Sequence, residues 1–171
     1  MPVLPIMRHG EPCLKKVSAS VDFADIKKRD LAKLLKNMWS TMYAAKGVGL
    51  AAPQIGLNLR LAVIDVRPDG KHQKLVLANP EIISREGDLH EEEGCLSIPG
   101  LYAKLARSAK VTIRAFDEKG KSYEMTGTGL LARAFQHEID HLDGKLFVDR
   151  LDFPEKMKAM QAIRELKKSW V

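Results

Sequence analysis

Residues 136–141 read Gln136-His137-Glu138-Ile139-Asp140-His141, an HExxH pattern inside a segment that we expect to be helical. Residues four apart in an α-helix lie one turn apart on nearly the same face. His137 and His141 can therefore direct their imidazoles to one point, and Glu138 can reach a water held there. Two neutral imidazoles beside a carboxylate suit hydrolysis by a metal-activated water. The run therefore predicts a metal site on a helix at the centre of the fold.

HExxH supplies two ligands, whereas a catalytic zinc-type site takes three from the protein. Cys95 is the leading candidate for the third, because no further His or Glu follows the helix in a third-ligand pattern. Taken alone, Cys95 is typical of a buried core cysteine, and HExxH alone can be a chance match on an ordinary helix. Three other histidines have no helical partner and are expected at the surface: His9, His72 and His90.

The composition is typical of a soluble globular domain. The chain has 171 residues, 45% hydrophobic and 29% charged, so we expect one domain over residues 1–171. No apolar run approaches the roughly 20 residues that a membrane helix needs. The first residues lack the charged region and cleavage site of a signal peptide. Only two cysteines occur, Cys13 and Cys95, which indicates no disulfide framework and favours the reducing cytoplasm.

The formal net charge is +6, and much of the excess lies in the last 17 residues. Such a basic surface is attracted to polyanions such as RNA. A solvated helix face explains the same composition equally well. Five basic residues outnumber two acidic ones there: Lys156, Lys158, Arg164, Lys167 and Lys168 against Glu155 and Glu165.

A first helix is predicted over about residues 25–45. We expect Gly47 to end it, because the left-handed position after a helix favours glycine. The methionines on its apolar face fit a core better than a ligand set. That face recurs at three- and four-residue steps: Leu31, Leu34, Leu35, Met38 and Met42.

Residues 47–56 (GVGLAAPQIG) are mostly small, with Gln54 as the single long polar side chain. Glycines let another backbone approach closely, so this segment can offer its main chain to an extended substrate. It lacks the GxxxxGK[ST] spacing of a phosphate loop. An ordinary turn into the next strand is the alternative interpretation.

Alternating and continuous apolar runs predict strands over residues 59–66, 74–78, 82–84, 110–116 and 121–126. Asn79-Pro80 and Gly87 are expected to interrupt them. Helices are predicted over 129–142 and 154–170. This order predicts an α+β fold: a single compact domain with antiparallel sheets around a central HExxH helix, an N-terminal helix and a C-terminal helix. The last helix carries an apolar side of Met157, Met160, Ile163 and Leu166.

Three stretches together resemble the peptide deformylase family: GVGLAAPQ at 47–54, EGCLS at 93–97 and QHEIDH at 136–141. They occur in the family's order, in a chain of its usual length. The resemblance extends through Asn79-Pro80 and through DGKLF at 143–147, covers nearly the whole chain and is similar to the bacterial and organellar type. Each motif is moderately specific, and their combination is very specific.

The resemblance implies a metal-dependent hydrolase that removes the formyl group from the N-terminal formyl-methionine of newly made proteins and releases formate. By position, the implied metal ligands are Cys95, His137 and His141. The implied metal is one ferrous ion per chain, for which nickel, cobalt or zinc can substitute. Implied partners are formyl-methionyl nascent peptides and, through the basic C-terminal helix, the ribosome. No membrane or DNA partner is expected.

The resemblance also assigns roles around the metal. Glu138 is the implied catalytic acid and base, while the Gln54 amide and the Leu96 backbone N–H form the implied oxyanion hole. The main chain near Gly49 is expected to pair with the peptide, and the HExxH helix with the Val48 region to hold the methionine side chain. The implied substrate-binding residues are Val48, Gly49, Gly94, Leu130 and Ala134.

Two positions depart from the family's pattern and bear on peptide preference beyond the first residue. Glu91 stands next to the methionine pocket where an apolar residue is frequent, and Tyr102 stands where some relatives carry Arg. Asp140 is expected to bind an arginine such as Arg107, to orient a metal ligand, or to lie at the helix surface. Gln136 is expected to be an ordinary helix residue.

A thiolate and two neutral imidazoles leave a divalent site with net charge +1. Such a site is a weaker Lewis acid than a three-imidazole site, so a nearby general base gains importance.

Two alternative functions have different requirements. A small HExxH zinc peptidase would cleave internal peptide bonds and would not need Cys95. A non-catalytic, metal-stabilised protein that binds ribosomes would tolerate Glu138→Ala without loss of function.

Overall fold

The computed structural model describes residues 2–170, which form one antiparallel sheet of five strands and three α-helices, joined by loops and short 3₁₀ turns. The sheet order follows the sequence, from β1 to β5. The predicted α+β fold is confirmed, with one sheet in place of several. The strands are β1 (Gly49–Ala51), β2 (Leu61–Val66), β3 (Gln73–Cys95), β4 (Ile98–Phe116) and β5 (Ser122–Thr128), and the helices are α1 (Lys28–Ala44), α2 (Gly129–Leu142) and α3 (Phe153–Leu166).

Strand β2 has helices on both of its faces, and all six of its residues are buried. Ala62 and Ile64 belong to the core that α2 covers, whereas Leu61 and Val63 belong to the core that α1 covers. Successive residues of a strand point to opposite faces. The nearly continuous apolar run of β2 is therefore required, because neither face meets solvent.

Helix α2 is the central helix, as the HExxH pattern predicted, and 11 of its 14 residues are buried. The side chains of Phe135 and Leu142 on α2 are fully buried where the helix packs against the sheet. Gly127 of β5 allows this close packing, because a Cβ there would lie 2.7 Å from Leu131 Cγ. The interior position of α2 holds its polar side chains at fixed places, which a functional site requires.

Strands β3 and β4 form one long hairpin that the sequence predicted only in fragments. Residues 74–78 and 82–84 belong to the same strand, with register shifts between them. Asn79 adopts a left-handed φ of 49°, and its side chain binds both the N–H and the carbonyl of Val21. The Asn79-Pro80 pair is thus an irregularity within the strand, as in a β-bulge, and the prediction that it ends a strand was wrong.

Two helix ends differ from their predictions. Helix α1 ends at Ala44, and Lys46, with φ 58°, takes the left-handed position that was predicted for Gly47. Gly47 is needed for close approach, because a Cβ there would lie 2.7 Å from Leu96 Cδ1. Helix α3 ends at Leu166, and Met157 on its predicted apolar side is 55% exposed.

Within residues 2–170, no helix combines the length and the apolar character that crossing a bilayer requires.

Candidate metal centre

Helix α2 brings His137 and His141 onto one face, one turn apart. Their Nε2 atoms lie 3.1 Å from each other. Cys95 is the last residue of β3, and its Sγ lies 3.4 Å from His141 Nε2. All three ligand atoms fall within 4.8 Å of one another. The structure therefore brings together the three residues that the sequence singled out as metal ligands.

This donor set fits a divalent metal ion. Bonds of about 2.0–2.3 Å at tetrahedral angles separate ligand atoms by about 3.3–3.6 Å, close to the spacings here. Burial disfavours protonation of both imidazoles. Cys95 and Glu93 outweigh it at His137 and raise the pKa of that imidazole. At His141, burial and the neighbouring His137 both lower the pKa. A bound cation takes the place of a proton among these three ligand atoms.

Glu93 holds His137 in place, and sequence reasoning missed this residue. Its Oε2 lies 2.7 Å from His137 Nδ1, which leaves His137 Nε2 free to face Cys95 and His141. Burial raises the pKa of Glu93, but hydrogen bonds from His137 and Arg107 outweigh it and lower the pKa to about 2. Such carboxylate–imidazole pairs fix the ring and the tautomer of a metal ligand. The signal was available, because Glu93 stands two residues before Cys95 in a strand.

Asp140, on the other side of α2, binds two arginines. Arg107 Nη1 donates to Asp140 Oδ2 at 2.7 Å, while the Nε and Nη2 atoms of Arg107 donate to the two oxygens of Glu93. Arg150 Nη2 donates to Asp140 Oδ1 at 2.8 Å. The predicted contact between Asp140 and Arg107 is confirmed. The prediction for Gln136 was wrong: it is buried and binds the N–H and the carbonyl of Ser108, because α2 there meets the backbone of β4.

Glu138 is buried next to the ligands, and its Oε2 has no hydrogen-bond partner within residues 2–170. Burial is the main cause that raises the pKa of Glu138, to about 7. Gly49 leaves room for this carboxylate, because a Cβ at Gly49 would lie 2.6 Å from Glu138 Oε1. A carboxyl with a pKa near neutrality can both accept and donate a proton under ordinary conditions.

The amide of Gln54 points to the same centre. Its Oε1 accepts the Ala51 N–H at 3.0 Å, which directs Nε2 toward Ser97 Oγ, at 3.1 Å, and Cys95 Sγ, at 3.7 Å. Leu96 follows Cys95 in the tight turn between β3 and β4, and its carbonyl accepts a hydrogen bond from Arg8. Gln54 and the main chain of Leu96 thus meet beside the ligand sulfur. Ser97 was not identified from the sequence.

A cavity of about 570 Å³ opens onto this centre. Val48 and Leu130 are partly exposed at 43% and 54%, so they can meet a ligand. Tyr102 lines the cavity and is 66% exposed, whereas Glu91 is absent from the lining and its neighbour Glu92 takes that place. The Glu91 carbonyl accepts a hydrogen bond from Arg133, which lines the cavity, so Glu91 stands next to the pocket without lining it. The cavity is lined by all five predicted substrate-binding residues: Val48, Gly49, Gly94, Leu130 and Ala134.

Of the three histidines outside α2, two are exposed and one is half-buried. His90 is exposed, as predicted. His72 is also exposed, although its Nδ1 lies 2.6 Å from the buried carboxylate of Asp65. His9 is half-buried, which was not predicted, and burial is the main cause that lowers its pKa. None of the three belongs to the metal-capable group in residues 2–170.

Comparison with known proteins agrees with this geometry. A family model described as polypeptide deformylase matches residues 3–157. The chain is 45% identical over 171 residues to a peptide deformylase of Acidobacterium capsulatum, with 99% of this chain and 98% of the relative covered. A solved peptide deformylase from Legionella pneumophila is 46% identical with a TM-score of 0.88, covering 98% of this chain and 96% of that one. A solved enzyme from Thermus thermophilus is 41% identical with a TM-score of 0.87, covering 96% and 95%.

Sequence motifs, fold and site geometry lead to the same family as these comparisons. The match covers almost the whole of this chain and of its relatives. The Cys/His/His group supplies the metal-binding capacity that the family's hydrolysis requires. The chain belongs to the peptide deformylase family and is a metal-dependent hydrolase that removes the formyl group from the N-terminus of newly made proteins.

Proposed function

We propose that residues 1–171 act as one cytoplasmic deformylase domain in which Cys95, His137 and His141 hold a single ferrous ion. The observation that carries this proposal is the convergence of one sulfur and two imidazole nitrogens within 4.8 Å. Imidazole and thiolate ligands suit several borderline metals, so nickel, cobalt or zinc can replace iron in the same site. Metal analysis of anaerobically purified protein tests this proposal: one iron per chain supports it, and no bound divalent metal contradicts it.

A bound divalent ion supplies Lewis-acid activation of a water and of the formyl oxygen. Glu138 accepts the proton of the attacking water at its carboxylate and then delivers it to the departing amine nitrogen. Its buried position, its free Oε2 and its pKa of about 7 support this double role. Gly49 supports it further, because it leaves the carboxylate unobstructed.

The proposed oxyanion hole consists of Gln54 Nε2 and the Leu96 N–H. Both groups lie beside Cys95 and can donate to the formyl oxygen as it gains negative charge. The hydrogen bond from Ala51 N–H to Gln54 Oε1 fixes the orientation of the amide and keeps Nε2 directed toward the centre. The cavity wall of Val48, Leu130 and Ala134 is the proposed site of the methionine side chain, and Gly49 and Gly94 expose main chain to the peptide.

Gln54→Ala is expected to lower kcat by roughly 10²–10³-fold, because one preorganised donor to the developing oxyanion is lost. The measurement is formate release from a formyl-Met peptide at saturating substrate. Gln161→Ala, which makes the same truncation at an exposed amide of α3, is the matched control and is expected to equal wild type. A Gln54→Ala enzyme that is folded and retains near-normal kcat would exclude Gln54 from this role.

Iron-loaded protein is expected to lose activity in air several-fold faster than nickel-loaded protein, because a thiolate ligand beside ferrous iron is exposed to oxidation. Both forms are prepared anaerobically from one batch, and formate release is followed after timed exposure to air. An anaerobic sample of each form controls for simple unfolding. Equal lifetimes in air would show that iron is not the labile component.

The proposed partners are formyl-methionyl nascent peptides and the ribosome, the latter through the exposed cations at the end of the chain. Lys167 and Lys168 are exposed and follow α3 directly. Exposed cations attract the phosphates of RNA, and the attraction weakens as salt rises. This arrangement supports a weak, salt-sensitive ribosome contact near the exit of new chains.

Reversing Lys167 and Lys168 to Glu is expected to weaken co-sedimentation with ribosomes at low salt and to leave formate release from short peptides unchanged. The matched control reverses Lys119 and Lys121, which are equally exposed in the turn between β4 and β5, so the net charge changes by the same amount. Equal loss in both variants would indicate a general charge effect. No loss in the Lys167 and Lys168 variant would leave this segment without a docking role.

A further inference from the structure

Arg133 is a buried guanidinium beside the candidate metal centre that the proposed reaction does not use. It lies on α2 one turn before His137, is 6% exposed and lines the cavity. Its guanidinium donates to four acceptors: the carbonyl oxygens of Leu89, Glu91 and Leu105, and Oε1 of Glu93.

The contact between Arg133 and Glu93 connects the cavity to a metal ligand. Arg133 Nη2 lies 3.1 Å from Glu93 Oε1, while the other oxygen of that carboxylate lies 2.7 Å from His137 Nδ1. Arg107 also binds Glu93, but it is simultaneously bound to Asp140 on the far side of α2. Arg133 is therefore the guanidinium that holds Glu93 from the cavity side.

The three carbonyl contacts fix Arg133 itself. They come from both β3 and β4, so the guanidinium clamps α2 to the long hairpin next to the cavity. The buried carbonyl of Leu105 that loses its donor, and the buried carboxylate of Glu93 that loses one of its two arginine partners, both carry a desolvation cost. The planar guanidinium can serve four acceptors at once, which a lysine ammonium cannot do in the same geometry.

We propose that Arg133 is a positioning residue. It links the cavity wall that meets the methionine side chain of the substrate to Glu93, and through Glu93 to the imidazole of His137. This inference rests on the proposed function, because it takes His137 as a metal ligand and the cavity as the methionine site. Binding of the substrate's methionine side chain and retention of the metal then depend on the same guanidinium. Loss of Arg133 affects both properties together.

The test compares wild type with Arg133→Met, of similar length and no charge, and with Arg133→Lys. The first readout is the rate at which nickel-loaded protein loses its metal to a chelator. Arg133 acts one contact further out than Glu93, so we expect about the lower end of the 10–100-fold range for such partners, roughly tenfold faster loss in Arg133→Met. Arg133→Lys is expected to restore part of the retention.

The second readout is the change in KM and the change in kcat, each measured separately with formyl-Met and formyl-Leu peptides. Arg133→Met is expected to raise KM and to narrow the preference between the two peptides. Arg164→Met, on an exposed arginine of α3, is the matched control and is expected to match wild type in both readouts. If Arg133→Met does not fold, Arg133→Lys alone carries the test, with metal loss faster than wild type as the expected result.

Wild-type metal loss together with wild-type KM and preference in the folded variants would overturn the inference. Metal loss does not depend on catalysis, so the two proposals can fail separately. A wild-type protein that releases no formate, while Arg133→Met still loses nickel faster, would contradict the proposed function and retain the positioning role.

Discussion

Glu138→Ala is expected to reduce kcat for formate release by roughly 10²–10⁴-fold, the contribution typical of a positioned general acid–base group. The reduction follows from the position of Glu138. Its neighbour His137 fixes it beside the metal ligands, burial raises its pKa to about 7, and Oε2 is free of protein partners within residues 2–170. Neither of the other two carboxylates that line the cavity has this combination, because Glu93 is bound to two arginines and His137 and Glu92 is exposed.

The measurement uses formate release from a formyl-Met peptide and metal content in the same preparations. Glu138→Ala is expected to keep its metal, because Glu138 is not among the three ligand atoms of the cluster. Glu165→Ala, at an exposed carboxylate of α3, is the matched control and should equal wild type. A Glu138→Ala protein that keeps its metal and near-normal turnover would contradict the acid–base role.

Cys95→Ala is expected to abolish stable metal binding and, with it, activity. Removing a partner that only orients a ligand already costs about 10–100-fold in affinity, so removal of a ligand itself is expected to cost more. The substitution also removes the thiolate charge that offsets the cation. Two imidazoles one turn apart remain, which is fewer than the three protein ligands of a catalytic site.

Cys13→Ala provides the matched control for the loss of Cys95. Cys13 is the other free cysteine, and its Sγ contacts the carbonyl of Pro53 at 3.5 Å outside the ligand cluster. Metal content by elemental analysis and formate release are measured on both variants. A Cys95→Ala protein that binds one metal per chain as tightly as wild type would show that the third ligand lies elsewhere.

These two variants also separate the family function from its alternatives. A small zinc peptidase built on HExxH would keep activity without Cys95 and would cleave internal peptide bonds. A non-catalytic, metal-stabilised protein would tolerate Glu138→Ala. The placement of Gln54 and Glu138 at one centre supports hydrolysis, since a purely structural metal site needs neither a free buried carboxylate nor an oriented amide donor.

Much of the fold follows from local sequence pattern. The bounds of α2 agree with the prediction because its apolar periodicity and its His spacing both favour the same helix. The second half of β3 was missed because residues 85–92 are polar on both faces and mostly exposed, so no alternation marks them as a strand. Their pairing with β4 is a long-range property that short windows do not contain.

The residues of the site also divide into those that the sequence predicted and those that it did not. His137 and His141 were predicted from their helical spacing, and Cys95 was the leading candidate for the third ligand, which the family resemblance also implied. The structure brings the three together. The roles of Glu93 and Arg133 were missed because they depend on contacts between β3, β4 and α2, and that of Ser97 because it depends on its contact with Gln54. The role of Gly49 was also only partly foreseen: it leaves space for Glu138, in addition to exposing main chain.

The most direct test is formate release from a formyl-Met peptide by anaerobically purified protein, before and after a chelator strips its metal. Binding of one ion by a thiolate and two imidazoles predicts release by the native protein, loss of release on stripping and recovery when ferrous iron or nickel is added back. Undiminished release from fully stripped protein would contradict the account.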